Sequence, residues 1–114
     1  MKKLILVFST MLLMLGFTTI VKADETITFK VNGNAACKTQ IEALVTGVQG
    51  VTSAVWDATA QKITIVFNST TVNKDKFYVV LAEGGYDNEE LHAKTSKYDA
   101  LSAECKYTRE AEKD

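Results

Sequence analysis

The chain of 114 residues contains no proline, two cysteines, one histidine and one tryptophan. Without proline, no segment is prevented from forming a helix or the interior of a strand. The sequence also lacks a nucleophile–base–acid set, a phosphate-cradling glycine loop and any hydrolase motif, so we do not expect an enzyme. Soft metal ligands are scarce as well, and the candidates are Cys37, Cys105 and His92.

An excess of basic residues is also missing. The formal net charge is −1, but three of the 13 basic residues lie in the first 23 positions, which contain no acid. The rest of the chain therefore carries 10 basic and 14 acidic side chains, a net charge of −4. No basic patch or polybasic run is present, so we expect neither nucleic-acid binding nor electrostatic binding to a membrane surface.

A long apolar run occurs only at the start of the chain. Residues 1–3 are basic in character, residues 4–20 are mostly apolar, and Val21-Lys22-Ala23 fits a small-residue cleavage site. The run has about 17 residues, whereas a membrane span usually needs ~20. The basic–apolar–small order is that of a secretory signal peptide. We expect cleavage after Ala23 and a periplasmic or secreted bacterial protein whose mature form is not embedded in a membrane.

The remaining residues alternate between strand-like and helix-like patterns. Residues 25–31 alternate apolar and polar side chains, which predicts a half-buried strand. An Asn-Gly-Asn loop follows, and apolar residues then recur with helical spacing from Cys37 to Val48. Extended segments are predicted near residues 51–57 and 62–67. A second helix follows, capped by Asn73 and stopped by Gly84-Gly85.

The last third of the chain gives weaker signals. Residues 86–92 predict a short fourth strand. Ser96 and Asp99 have the spacing of a capping box, which would open a tail helix with Tyr98, Leu101 and Cys105 on one face. Residues 107–114 are charged and are expected to fray.

This order of elements predicts an α+β, ferredoxin-like βαββαβ fold, in which an antiparallel sheet carries both helices on one face. We assign residues 1–23 to the signal peptide, 24–92 to the domain and 93–114 to a C-terminal helical extension. Trp56 and the phenylalanines at positions 29, 67 and 77 are expected in the core.

The same segments resemble the heavy-metal-associated domain family, which includes copper chaperones and mercury-binding periplasmic proteins. The resemblance covers most of residues 25–92 and rests on residues 31–42, 50–51, 62–68 and 85–87. An exported branch of this family has a Gly-Asn-Cys-x-x-Cys-Lys loop and a tail with a cysteine pair before Lys-Tyr, to which residues 98–107 are similar. Here Asn34 stands three residues before Cys37, and Glu104 stands where the first tail cysteine would be.

The resemblance implies a ferredoxin-like fold and a soft-metal task with copper(I), zinc or mercury(II). It also implies a partner such as a membrane metal transporter or another protein of the cell envelope. In our first hypothesis, Cys37 and Cys105 form a degenerate two-thiolate metal site with His92 as a candidate third ligand. A loop with one cysteine cannot bind a soft ion alone, so the tail cysteine would have to complete the site.

In the second hypothesis, Cys37 and Cys105 form a disulfide in a metal-free interaction module. The expected location favours disulfides, and an even cysteine count is consistent with pairing. The two hypotheses are also compatible with each other, because the metal-binding thiolates and the disulfide are the reduced and oxidised forms of one cysteine pair. A thiol–disulfide catalyst fits less well, because such enzymes usually have two cysteines two residues apart within a different fold.

Overall fold

The computed structural model describes residues 24–109. It contains three strands, β1 (Asp24–Lys30), β2 (Val51–Asp57) and β3 (Lys62–Asn68), and three helices, α1 (Lys38–Thr46), α2 (Asp75–Glu83) and α3 (Thr95–Asp99). Two short 3-10 helices, Ala35–Cys37 and Ala103–Cys105, end at the two cysteines. The predicted signal peptide lies outside the described residues. Among residues 24–109, no helix has the length and apolar character needed to cross a membrane.

The three strands form an antiparallel sheet in the order β1-β3-β2. The register pairs Phe29 with Ile63 and Ile27 with Ile65, and on the other side of β3 it pairs Trp56 with Ile63. Alternate residues of the sheet are buried against α1 and α2 in one apolar core. The predicted ferredoxin-like arrangement, with its helices packed on one face of the sheet, is therefore confirmed.

The predicted fourth strand is reduced to an isolated bridge between Val31 and Asn88. The side-chain oxygen of Asn88 accepts hydrogen bonds from the backbone N–H groups of Glu90 (3.1 Å) and Leu91 (3.0 Å). The backbone N–H of Asn88 also donates to the carbonyl of Leu91 (2.8 Å). This turn bends the chain directly after the bridge, so the prediction of a strand over residues 86–92 is wrong.

The tail departs from the predicted capping box and long helix. The residue before α3 is Lys94, which makes no side-chain cap hydrogen bond, and Ser96 lies inside the first turn. The helix ends at Asp99, and Cys105 lies in a separate 3-10 helix. The ammonium group of Lys106 binds three carbonyl oxygens at the end of α3, those of Tyr98 (3.4 Å), Asp99 (3.0 Å) and Leu101 (2.7 Å). These bonds satisfy carbonyls that a continuing helix would have used.

Candidate functional site

The centre of the candidate site is a disulfide between Cys37 and Cys105. The two residues are 68 positions apart in sequence, and their Cα atoms are 5.4 Å apart. This separation lies in the usual range for a bridged pair. Both side chains are buried, with relative exposures of 0% for Cys37 and 4% for Cys105. The structure therefore brings together the two sulfurs on which both sequence hypotheses depend.

The loop that carries Cys37 is fixed by contacts that require glycine at position 33. A Cβ atom on Gly33 would lie 2.5 Å from the Cδ1 atom of Ile41 and 3.1 Å from the ring of Trp56, both fully buried. The Gln61 side chain accepts a hydrogen bond from the Gly33 N–H (3.0 Å) and donates one to its carbonyl (3.1 Å). The role of Gln61 was missed from the sequence, because its partner is 28 residues away.

Asn34 connects this loop to the tail. Its side-chain oxygen accepts a hydrogen bond from the Ala36 N–H (2.9 Å), which caps the short helix leading to Cys37. Its side-chain amide donates to the carbonyl of Lys106 (3.0 Å), the residue after Cys105. Asn34 thus holds the two cysteine segments together through a contact that does not involve sulfur.

Tyr107 anchors the tail to the turn after α2. Its hydroxyl donates to the carbonyl of Gly85 (2.7 Å) and accepts from the N–H of Asp87 (2.9 Å). Its ring stacks on Tyr86 and meets the edge of Tyr98, with centroid distances of 5.9 and 5.0 Å. Burial is the largest cause that raises the pKa of Tyr107 well above its ordinary value, so the phenol stays protonated.

Arg109 and Asp87 form a second anchor for the tail. The guanidinium donates to both carboxylate oxygens, Nε to Oδ2 (3.0 Å) and Nη2 to Oδ1 (2.7 Å), and also to the carbonyl of Ala93 (2.6 Å). Burial would raise the pKa of Asp87, but the hydrogen bonds from Arg109 and the Ala93 N–H outweigh it and lower the pKa. The expectation that the chain frays from residue 107 onward is therefore wrong for Tyr107 and Arg109. Their partners are 22 residues away and leave no local pattern.

Lys38 follows Cys37, but its ammonium group pairs with Glu42 one helical turn later. Glu42 also accepts a hydrogen bond from the backbone N–H of Trp56 (2.8 Å). Partial burial opposes ionisation of Glu42, but the bonds from Lys38 and Trp56 outweigh it and lower the pKa of Glu42. The charge of Lys38, next to Cys37, is therefore already compensated by Glu42.

His92 is not brought to the two sulfurs as a third ligand. It is half-buried, close enough to Asp87 to help lower the pKa of that carboxyl, and its Nδ1 atom is buried with no hydrogen-bond partner in the described part of the chain. Residues 24–109 contain no group of three or more His, Cys, Asp or Glu side chains placed to hold a metal ion. The ligand set Cys37, Cys105 and His92 remains a prediction, and the structure assembles only its two sulfurs.

No protein-family model matches this chain, and no curated protein sequence matches it either. Solved structures do match. Oxidised MerP from Ralstonia metallidurans CH34 superposes with a TM-score of 0.56 and 22% identity, over 59% of this chain and 96% of that chain. The CopZ metallochaperone gives a TM-score of 0.54 and 21% identity, over 56% of this chain and 98% of that chain.

A copper binding domain from HMA7, a P-type ATPase, gives a TM-score of 0.53 and 26% identity, over 56% of this chain and 89% of that chain. These proteins carry the heavy-metal-associated fold. The matches confirm that the covered part of this chain adopts the ferredoxin-like fold of these proteins, which is the fold that the sequence resemblance implies.

Proposed function

We propose that this protein binds and hands over a soft metal ion through Cys37 and Cys105 when these residues are reduced. The observation that carries the proposal is the meeting of the two cysteines at the junction between the β1–α1 loop and the tail, with Cα atoms 5.4 Å apart. Two thiolates that converge from two segments replace the cysteine pair that one loop supplies in the family that the sequence resembles. The role is binding and transfer rather than catalysis.

The donor set favours copper(I) or mercury(II) over zinc. Thiolates select soft ions, and two of them suffice for an ion of low coordination number. A structural zinc site usually needs four nitrogen or sulfur ligands. Residues 24–109 bring no third His, Cys, Asp or Glu side chain to the pair. The ion is the cargo of the protein, and its arrival would release the protons of the two thiols.

The pair is preorganised by contacts that remain after reduction. A dithiol reductant would supply two electrons and two protons and leave two thiols in place of the disulfide. The Asn34 bond to the Lys106 carbonyl, the Tyr107 hydroxyl bonds and the Arg109–Asp87 ion pair involve neither sulfur. Because these contacts hold the tail, the reduced thiols stay close enough to share one ion.

The names of the structural neighbours support the proposal. They include a metallochaperone and a copper binding domain of a P-type ATPase. A membrane metal transporter or another envelope protein is therefore the partner that we propose for transfer. The location that we propose, outside the cytoplasm, rests on the signal-peptide pattern of residues 1–23.

The test is an anaerobic titration of the reduced protein with copper(I) in competition with a coloured chelator. We expect one tightly bound ion per chain in the reduced protein and none in the oxidised protein. Cys37→Ser and Cys105→Ser should each abolish tight binding, whereas His92→Gln should leave it unchanged. If the reduced protein binds no copper, or if Cys37→Ser binds it equally well, the proposal is wrong.

Burial of the disulfide favours a second candidate, a metal-free interaction module stabilised by the Cys37–Cys105 bond. Relative exposures of 0% and 4% are typical of a structural disulfide. This function predicts that the purified protein has no free thiols and that reduction lowers its stability without creating a metal site. The copper titration separates the two functions, because only the first predicts binding by the reduced protein.

A further inference from the structure

The two cysteines of the disulfide differ in their position relative to a surface groove. Cys105 lines a groove of 460 Å³ between α1 and the tail, and Cys37 does not. Gln40 and Leu44 form the α1 side of this groove, and Leu101 and Ser102 form the tail side. Cys37 is fully buried beneath the start of α1. A reagent that enters the groove therefore reaches the bond from the side of Cys105.

The two sulfurs also differ as leaving groups. Cys37 is the residue that precedes the nine-residue helix α1, and its side chain makes no capping hydrogen bond in the disulfide form. A thiolate released there would lie at the positive end of the helix dipole. Cys105 is instead the last residue of a three-residue 3-10 helix, so its sulfur does not lie at the positive end of a longer helix.

We propose that Cys105 is the sulfur at which the disulfide is opened, by a cysteine thiolate that enters this groove, and that Cys37 is the leaving group. The incoming thiolate forms a bond to the Cys105 sulfur, the Cys37–Cys105 bond breaks, and its electron pair stays on Cys37 as a thiolate. A second thiolate of the same dithiol reductant then attacks the reductant's sulfur in the mixed disulfide. Cys105 is released as a thiolate, and the reductant is left as a disulfide.

This inference concerns the same pair as the proposed function, and it assigns the step that would make the metal site available. It does not require that metal binds, so the test contains no metal. The oxidised protein is incubated with glutathione, quenched with acid, and treated with N-ethylmaleimide at controlled pH. Peptide mass spectrometry then locates each modification.

We expect glutathione on Cys105 and N-ethylmaleimide on Cys37, with an excess of about tenfold over the opposite arrangement, because the groove gives access from the side of Cys105. Glutathione mainly on Cys37, or equal amounts on both, would overturn the proposal. If glutathione is found mainly on Cys37 while the reduced protein binds copper in the separate titration, this inference fails and the proposed function stands.

The route through the groove is tested by filling its mouth. Ser102→Trp should slow formation of the mixed disulfide by about tenfold, since access governs the attack. Ala103→Trp is the matched control, because Ala103 is the next residue, is also exposed, and does not line the groove. Gln40→Trp fills the opposite wall and repeats the test if Ser102→Trp folds poorly. Equal rates in the groove variants and the control would rule out this route.

Discussion

Replacing Tyr107 by phenylalanine tests whether the tail is held in place independently of the disulfide. The change keeps the ring, which contacts Tyr86 and Tyr98, and removes only the hydroxyl. That hydroxyl satisfies the carbonyl of Gly85 and the N–H of Asp87, at 2.7 and 2.9 Å. An unsatisfied buried polar group costs about 1–3 kcal/mol, so we expect the two groups together to lower the free energy of unfolding by about 2–6 kcal/mol.

Urea unfolding of the oxidised protein, followed by fluorescence of Trp56, measures this loss. Tyr98→Phe is the matched control. Its hydroxyl makes a single bond, to the carbonyl of Tyr107 (2.6 Å), in a half-buried position, and its removal should cost about 1 kcal/mol. If Tyr107→Phe costs no more than Tyr98→Phe, the hydroxyl is not the anchor that we describe.

A second measurement connects this anchor to the cysteine pair. If docking of the tail brings Cys37 next to Cys105, then weaker docking lowers the effective concentration of the Cys105 thiol near the Cys37 thiol. The equilibrium of the pair with glutathione should then shift toward the thiols, by about tenfold for each 1.4 kcal/mol of docking free energy lost. An unchanged thiol equilibrium in Tyr107→Phe would show that the tail anchors do not preorganise the pair.

Three further changes test other parts of the account. The lowered pKa of Asp87 means that its contribution to stability is present above its ordinary pKa of 3.8 and is lost as the pH falls below that value. Acid unfolding should show this loss. The Asp87→Asn variant should be less stable than the unmodified protein at neutral pH, and its stability should depend less steeply on acid pH. Replacing both Cys37 and Cys105 by alanine should lower the free energy of unfolding by about 4 kcal/mol in the chain-entropy model, and reduction of the unmodified protein should reproduce most of this loss in urea. Gly85 has φ 101°, and an added Cβ would lie 2.9 Å from a backbone carbonyl oxygen. Gly85→Ala should therefore cost about 1–3 kcal/mol in thermal or urea unfolding. Gly47→Ala should cost less, because Gly47 has φ −75° and an added Cβ would lie 3.3 Å from the nearest backbone oxygen.

The sheet and the first two helices could be predicted because their signals are local. Strand alternation in residues 25–31 and 62–67 and the helical spacing after Cys37 follow directly from which side chains face the core. The predicted segment 51–57 coincides with β2. The N-cap residue of α2 is Lys74 and not the predicted Asn73, although the Asn73 side chain accepts a hydrogen bond from the Asp75 N–H (2.8 Å) at the start of the helix.

The errors have two causes. The predicted fourth strand fails for a local reason, because the Asn88 side chain accepts hydrogen bonds from the backbone of Glu90 and Leu91 and turns the chain away from the sheet. The tail was predicted wrongly because its contacts are distant in sequence. Tyr107 and Arg109 are held in place because Arg109 pairs with the buried carboxylate of Asp87, and because the Tyr107 hydroxyl binds the turn after α2. Nothing within a window of ten residues indicates these partners.

The candidate site was predicted in part. The sequence identified Cys37 and Cys105 as the pair to test, and the structure joins them. The sequence did not reveal Asn34 and Gln61 as the residues that hold the loop, since one binds the tail and the other crosses from the end of the β2–β3 turn. The metal itself remains a proposal.

Copper K-edge X-ray absorption of the reduced protein loaded with one equivalent of copper(I) tests the central claim most directly. Our account predicts two sulfur neighbours around the copper, both lost in the Cys37→Ser, Cys105→Ser double variant, and no nitrogen neighbour from His92. A copper ion surrounded mainly by nitrogen or oxygen, or a reduced protein that cannot be loaded with copper, would contradict the account.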